Sequence, residues 1–130
     1  MTSSTVPPNA IAVIGMAGRF PGSDSVAQFW RNLSTDTELI VDVSEQDLAA
    51  NQVTERALES HSYIRRAAMM DGIDEFDAEF FGFNNQTART MDPQHRLFLQ
   101  TSWHAFEDAG VDPADYDGSI GVFATSSASG

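Results

Sequence analysis

Asp92-Pro93 opens the most constraining stretch of this 130-residue chain. Asp is a favoured N-cap, and Pro suits the first helical position, where its fixed φ fits and its missing N–H has no intrahelical partner to lose. The pattern predicts about five turns of helix ending at Gly110. At 100° per residue, Phe98, Leu99, Trp103, Ala105, Phe106 and Ala109 fall on an arc of about 160°, while Arg96, Gln100, Thr101, His104, Glu107 and Asp108 cover the remainder. So wide an apolar arc predicts burial against two neighbouring elements.

The other elements are shorter. Residues 11–14, Ile-Ala-Val-Ile, form an apolar run too short for a helix and bounded by Gly15, which predicts a buried strand. Val26, Phe29, Trp30 and Leu33 recur at helical spacing, with Ser23, Asp24 and Ser25 available as N-caps, so a helix over 25–34 is expected to lay its apolar face on a sheet. Ser44-Glu-Gln-Asp47 resembles a capping box and opens a short helix carrying Leu48, Ala49 and Ala50. A weaker helical stretch spans 54–59, and residues 63–70 read as extended. Residues 76–81 read as one or two helical turns closed by Gly82. After a turn at 112–117, residues 119–124 read as a second buried strand. Chain order is therefore mixed α and β, with no internal repeat.

Composition narrows the function. Hydrophobic residues make up 42% of the chain, including nine Phe and two Trp, which excludes the disordered class. At this length a chain folding alone buries roughly two-thirds of its unfolded surface around one core. The formal charge of −12 repels phosphate backbones, so nucleic acid is not an expected partner. No apolar run reaches membrane-spanning length and the N-terminus lacks a signal-peptide pattern, so no membrane contact and a cytoplasmic location are expected. There are no cysteines, which removes disulfides, thiolate ligands and a cysteine nucleophile. Asn32-Leu-Ser34 and Asn85-Gln-Thr87 match the glycosylation pattern but read as chance matches in a chain without an export signal.

Candidate chemistry is sparse. Ile11-Ala-Val-Ile-Gly-Met-Ala-Gly-Arg-Phe-Pro-Gly22 invites a dinucleotide reading, and Asp42 lies about twenty residues beyond Gly22, where an acid would meet a ribose. The spacing fails: the fingerprint positions hold Gly15, Ala17 and Phe20, and Pro21 enforces a loop where a helix should start. His95 and His104 stand about 180° apart on the long helix and cannot share an ion; His61 has no matching partner. His104 and Glu107 are spaced to pair on the surface. Asp71, Asp74, Glu75, Asp77 and Glu79 lack the alternation and central Gly of a calcium loop and read as a solvated rim around Phe76, Phe80 and Phe81. Arg65-Arg66 is suited to meeting a phosphate or a carboxylate. Thr125-Ser-Ser-Ala-Ser129 lacks the elbow and triad partners of an activated serine. No catalytic, cofactor-binding or metal-ligating residue is assigned.

The segments together resemble something specific. The stretch 11–22, then Phe29-Trp-Arg-Asn-Leu33, Ile73-Asp-Glu-Phe-Asp-Ala-Glu-Phe-Phe-Gly82, Met91-Asp-Pro-Gln-His-Arg-Leu97 and Trp103-His-Ala-Phe-Glu-Asp-Ala-Gly110 are similar, in order and spacing, to the N-terminal part of the ketosynthase (β-ketoacyl synthase) domain of modular polyketide synthases. The resemblance runs over 11–125, leaving 1–10 as a polar lead-in and 126–130 as a polar tail or truncation point. It implies an α/β chain, the N-terminal portion of a thiolase-like fold with a mixed sheet and packed helices, incomplete as a domain. Gly15, Gly18 and Gly22 are then expected to serve turns and close packing rather than a phosphate. Where the family has a Ser-Pro-Arg-Glu-like stretch, this chain has Phe83-Asn-Asn-Gln-Thr87, which keeps a helix cap and loses the charged pair.

The resemblance also implies a reaction. In a complete domain a cysteine thiolate takes the growing acyl chain from a carrier protein, and histidines assist decarboxylation and attack of a malonyl-type extender, a decarboxylative Claisen condensation. That cysteine and those histidines lie beyond the last residue here, and His61, His95 and His104 match none of them. The parent is thus an acyltransferase-class enzyme, whereas this stretch alone is expected to be inactive, either a recombinant piece or a naturally truncated or split domain. No cofactor is expected to bind directly; phosphopantetheine would arrive on partner acyl carrier proteins. Other megasynthase domains are expected partners, with a homodimer for the complete domain and self-association or partner contact for the fragment through uncovered sheet edges and the face of Phe98, Trp103 and Phe106. The alternative is a non-catalytic ketosynthase remnant acting as a docking or dimerisation element.

Overall fold

The computed structural model describes residues 7–126. They form α1 (Val26–Ser34), β1 (Val41–Asp42), α2 (Glu45–Ala50), α3 (Glu55–Leu58), β2 (Arg66–Ala67), α4 (Asn85–Thr90) and α5 (Pro93–Ala109). The chain divides into two units, one built from Gly18–Glu75 and the other from the residues up to Ala17 together with those from Phe76 onward.

In the Gly18–Glu75 unit, Phe20 and Ser23 exchange backbone hydrogen bonds of 3.0 and 2.9 Å around Pro21-Gly22. Gly22 has φ +61°, the left-handed value that the third position of a type II turn demands after Pro. The expected loop at Pro21 is thus present. Asn32 of α1 holds it in place: its side-chain nitrogen donates to the Gly22 carbonyl at 3.1 Å and to Ser23 Oγ at 2.9 Å. Ser23 is only 2% exposed.

Each helix of this unit starts at a side-chain cap. Ser25, Ser44 and Thr54 accept from Gln28 N, Asp47 N and Ala57 N at the starts of α1, α2 and α3. Each cap satisfies an N–H that has no intrahelical partner. The Ser44 hydroxyl also donates to the Asp47 carboxylate at 2.5 Å, a side-chain bond in place of the backbone N–H contact of a full capping box. β1 and β2 pair antiparallel, with Val41 opposite Ala67 and Asp42 opposite Arg66, placing a strand inside the stretch expected to be extended.

α1 departs from expectation. Phe29 stacks on Phe20 with centroids 4.1 Å apart, while Trp30 and Leu33 stay exposed. The ladder is two residues long and presents no face wide enough to receive a helix.

In the other unit α5 has the predicted bounds. Asp92 accepts from Gln94 N at 2.8 Å, and Gly110, at φ +66°, ends the helix while Val111 N–H donates to the Phe106 carbonyl. The 76–81 stretch is a single helical turn, as expected: the Asp77 side chain accepts from Phe80 N, Phe81 N–H donates to Asp77 O, and the turn closes where Phe83 N–H donates to Ala78 O and Gly82 N–H to Glu79 O, with Gly82 at φ +74°. This is the terminating bond pattern of a helix C-terminus. Asn84 caps α4 through Thr87 N, so the cap kept in the departing segment is real.

Two expectations are corrected. Residues 11–14 and 119–124 are neither regular strands nor buried: Ile11 is 95% and Phe123 98% exposed. A strand requires a neighbouring backbone, and no described residue offers one to either segment. Nor is there one large core. Among the described residues the buried apolar side chains are Leu48, Ala78 and Ala88, and no large side chain is fully enclosed.

Candidate functional site

A concavity lies in the unit that contains α5. Phe98, Ser102, Ala105, Phe106 and Ala109 of α5 form its floor, with residues 12–15 and 119–123 and the side chains of Val111 and Tyr116 around it. The volume is about 580 Å³. Its position follows from two local facts. Gly15 lets the N-terminal segment lie directly on α5: a Cβ there would stand 2.4 Å from the Ala105 carbonyl oxygen and 2.8 Å from Ala109 Cβ. The next residue is then tied down, because Met16 N–H donates to the Asp108 carboxylate at 2.8 Å.

At the far edge of the same apolar arc, Trp103 of α5 meets an aromatic cluster. Phe80 meets Trp103 edge-on at 4.9 Å, Phe80 meets Phe81 in the same way, and Phe76 stacks on Phe81 at 5.1 Å. The burial against two neighbours predicted for α5 is not reached: none of its residues is buried. Phe98, on the groove side, remains 42% exposed.

The groove is poor in chemistry. Its lining carries the hydroxyls of Ser102, Ser119 and Tyr116 but no carboxylate, amine, imidazole or thiol. His61, His95 and His104 are all exposed and line no part of it. The pairing expected between His104 and Glu107 is replaced by Trp103 Nε1 donating to Glu107 at 2.9 Å. Among the described residues no group of three or more His, Asp or Glu converges as a metal site. Ser127 and Ser129 of the terminal hydroxyl cluster lie outside the described residues.

The arginines singled out from sequence are engaged locally. In the Gly18–Glu75 unit, Arg65 pairs with Glu45 at 2.8 Å, and Arg66 lies 3.7 Å from Glu38 and 3.5 Å from Asp42. Asp42, the residue that mimicked a ribose acid, thus belongs to a surface ion pair. Arg19 donates to the carbonyls of Asp71 and Gly72.

The three glycines of the opening stretch serve three different ends. Gly15 permits close approach to α5, Gly18 faces the Phe20 ring at 2.6 Å from a built Cβ, and Gly22 supplies a positive φ. The role of Asp108 has no signal in the sequence, since its position on the helix marks it only as part of the polar cover.

Residues 8–130 match the family model described as "Beta-ketoacyl synthase, N-terminal domain". The chain belongs to the beta-ketoacyl synthase family. This ketosynthase sequence is 60% identical over 126 residues to a phenolphthiocerol/phthiocerol polyketide synthase of Mycobacterium tuberculosis, a match that covers 97% of this chain and 8% of that protein. It is 39% identical over 127 residues to polyketide synthase GfsA of Streptomyces halstedii, covering 94% of this chain and 2% of that one.

Among solved structures it resembles the ketosynthase from module 6 of the bacillaene synthase of Bacillus subtilis 168. The TM-score is 0.64 at 36% identity, over 78% of this chain and 17% of that one. Ketosynthase twelve of the bacillaene synthase of Bacillus amyloliquefaciens gives the same TM-score and identity over 74% of this chain and 17% of that one. The ketosynthase chain is thus an N-terminal portion of a thiolase-like α/β fold from a polyketide synthase, as the motif series implied, and it spans a small part of the relatives it matches.

Proposed function

We propose that this chain is the scaffold-forming N-terminal portion of a ketosynthase that extends an acyl chain by decarboxylative Claisen condensation with a malonyl-type extender. In this reading acyl carrier proteins bearing phosphopantetheine deliver both thioesters. The match of residues 8–130 to the ketosynthase N-terminal model carries the reading. The absence of any cysteine supports its second half: acyl loading requires a sulfur nucleophile from elsewhere in the enzyme, so the chain alone is inactive.

The test is intact mass spectrometry after incubation with a simple acyl thioester. The chain alone should gain no acyl mass. Joined to the polypeptide that follows the matching segment in the mycobacterial polyketide synthase, it should gain one acyl group and release carbon dioxide from a malonyl thioester. Acylation of the cysteine-free chain, or a folded joined protein that neither loads nor decarboxylates, would refute the proposal. A second reading, a docking or dimerisation element without catalysis, is favoured by one observation, the exposure of the apolar segments beside α5.

A further inference from the structure

We propose that Asp71-Gly72 is a covalent modification site at which the aspartate converts to isoaspartate, and that Arg19 promotes and directs the conversion. The reaction is an isomerisation that needs no oxidant or cofactor. The Gly72 amide nitrogen attacks Cγ of Asp71 in its acid form. A C–N bond forms, the N–H proton and the carboxyl hydroxyl leave as water, and a succinimide ring results. Water then adds to either ring carbonyl. Addition at Cγ restores aspartate. Addition at the former main-chain carbonyl breaks its bond to the Gly72 nitrogen and leaves a free α-carboxylate, with the chain now running through Cβ and Cγ. One water leaves and one returns, so the mass is unchanged.

Three observations within the Gly18–Glu75 unit carry this. First, the reacting groups are free. Among the described residues Gly72 N–H donates to no acceptor, and the exposed Asp71 carboxylate makes no hydrogen bond or ion pair. Second, no side chain shields the amide. Gly72 sits at φ +60°, and a Cβ there would stand 2.9 Å from Glu75 Oε2 and 3.2 Å from Arg19 Nη2, so the turn requires the one residue that leaves its nitrogen unhindered.

The third observation is the position of Arg19. Its Nη2 donates to the Asp71 carbonyl at 2.5 Å and its Nη1 to the Gly72 carbonyl at 3.4 Å. The Asp71 carbonyl and the Gly72 nitrogen belong to one conjugated peptide group. A cation on that oxygen withdraws electron density from the nitrogen and favours loss of its proton. In the ring, the same oxygen belongs to the carbonyl whose hydration yields isoaspartate. The guanidinium therefore stabilises the oxyanion that forms there and then pairs with the new carboxylate.

The other Asp-Gly pair of the chain, Asp117-Gly118, supplies the contrast. Its Gly118 N–H is already held by the Tyr116 carbonyl at 3.0 Å, and among the described residues no arginine meets the Asp117 carbonyl.

The experiment ages the full chain at neutral pH below its melting temperature, then digests it with trypsin. Cleavage after arginine puts the two pairs on different peptides, 67–89 and 97–130. Isoaspartate appears as a new chromatographic peak of unchanged mass that an isoaspartyl methyltransferase labels from S-adenosylmethionine. Residue 71 should convert about tenfold faster than residue 117, the order of effect that one charge-assisted hydrogen bond to the reacting group supplies, and the two rates should converge in urea. Arg19→Ala should slow residue 71 by about the same factor and leave residue 117 unchanged. Should that variant lose its helical circular dichroism, the parent chain decides in water labelled in its oxygen. The ratio of labelled isoaspartate to labelled aspartate at residue 71 should then be higher in the folded chain than in urea. Equal rates at the two pairs in the folded chain overturn the proposal. So does a folded Arg19→Ala chain that keeps the parent's rate, or a labelling ratio that urea leaves unchanged.

Discussion

Gly15→Ala tests the contact on which the groove depends. The added methyl would meet the Ala105 carbonyl oxygen at 2.4 Å and the Ala109 backbone nitrogen and Cβ at 2.8 Å, and these helical atoms cannot rotate away. Residues 11–16 must therefore lift from α5, at an overpacking cost of about 1–3 kcal/mol. Lifting also breaks the Met16 to Asp108 hydrogen bond, worth about 1 kcal/mol at an exposed site. Against this, replacing Gly by Ala restrains the unfolded chain and returns about 0.4–1 kcal/mol. The net is a destabilisation of about 2 kcal/mol, or roughly thirtyfold in the folded-to-unfolded ratio. Urea unfolding followed by far-ultraviolet circular dichroism measures it, and amide exchange at Met16 reports the broken bond. Gly121→Ala is the control, because its new methyl would lie 3.5 Å from the Phe123 ring, an ordinary contact. The reasoning fails if Gly15→Ala unfolds at the parent's urea concentration with Met16 still protected.

Other substitutions follow from local geometry. Asp92→Ala removes the cap of α5 and should cost about 1 kcal/mol in the same urea experiment. Gly110→Ala places a Cβ in a left-handed residue with open space around it; the cost of about 1–2 kcal/mol is therefore backbone strain, and Gly110→Asn should recover most of it. Arg65→Ala should change stability by less than about 1 kcal/mol, because the side chains of Arg65 and Glu45 are 46% and 80% exposed, and added salt should shrink even that difference.

The helices were legible because their signals are local. Ser25, Ser44, Thr54 and Asp92 each announce a helix within three residues of the N–H they satisfy, and each is found capping one. The extended segments were legible in composition but not in outcome. Ile11 to Ile14 has the apolar run of a buried strand, yet burial depends on a partner distant in sequence, and none is offered by the described residues. The groove shows the same limit. Phe98 and Phe106 could be placed on one helical face by counting, whereas Tyr116 joining them, or Asp108 reaching Met16, depends on where the chain returns. The family was nevertheless readable, because a motif series records the complete fold for which these faces were selected.

The Asn32 amide settles one matter that pattern matching left to chance. Both of its hydrogens are engaged, one on the Gly22 carbonyl and one on Ser23 Oγ. A glycan linked through that nitrogen would leave it a single hydrogen and force a bulky sugar into the hinge between the Pro-Gly turn and α1. Once this turn has closed, the Asn32-Leu-Ser34 tripeptide is therefore no acceptor for an oligosaccharide, whatever compartment the polypeptide passes through.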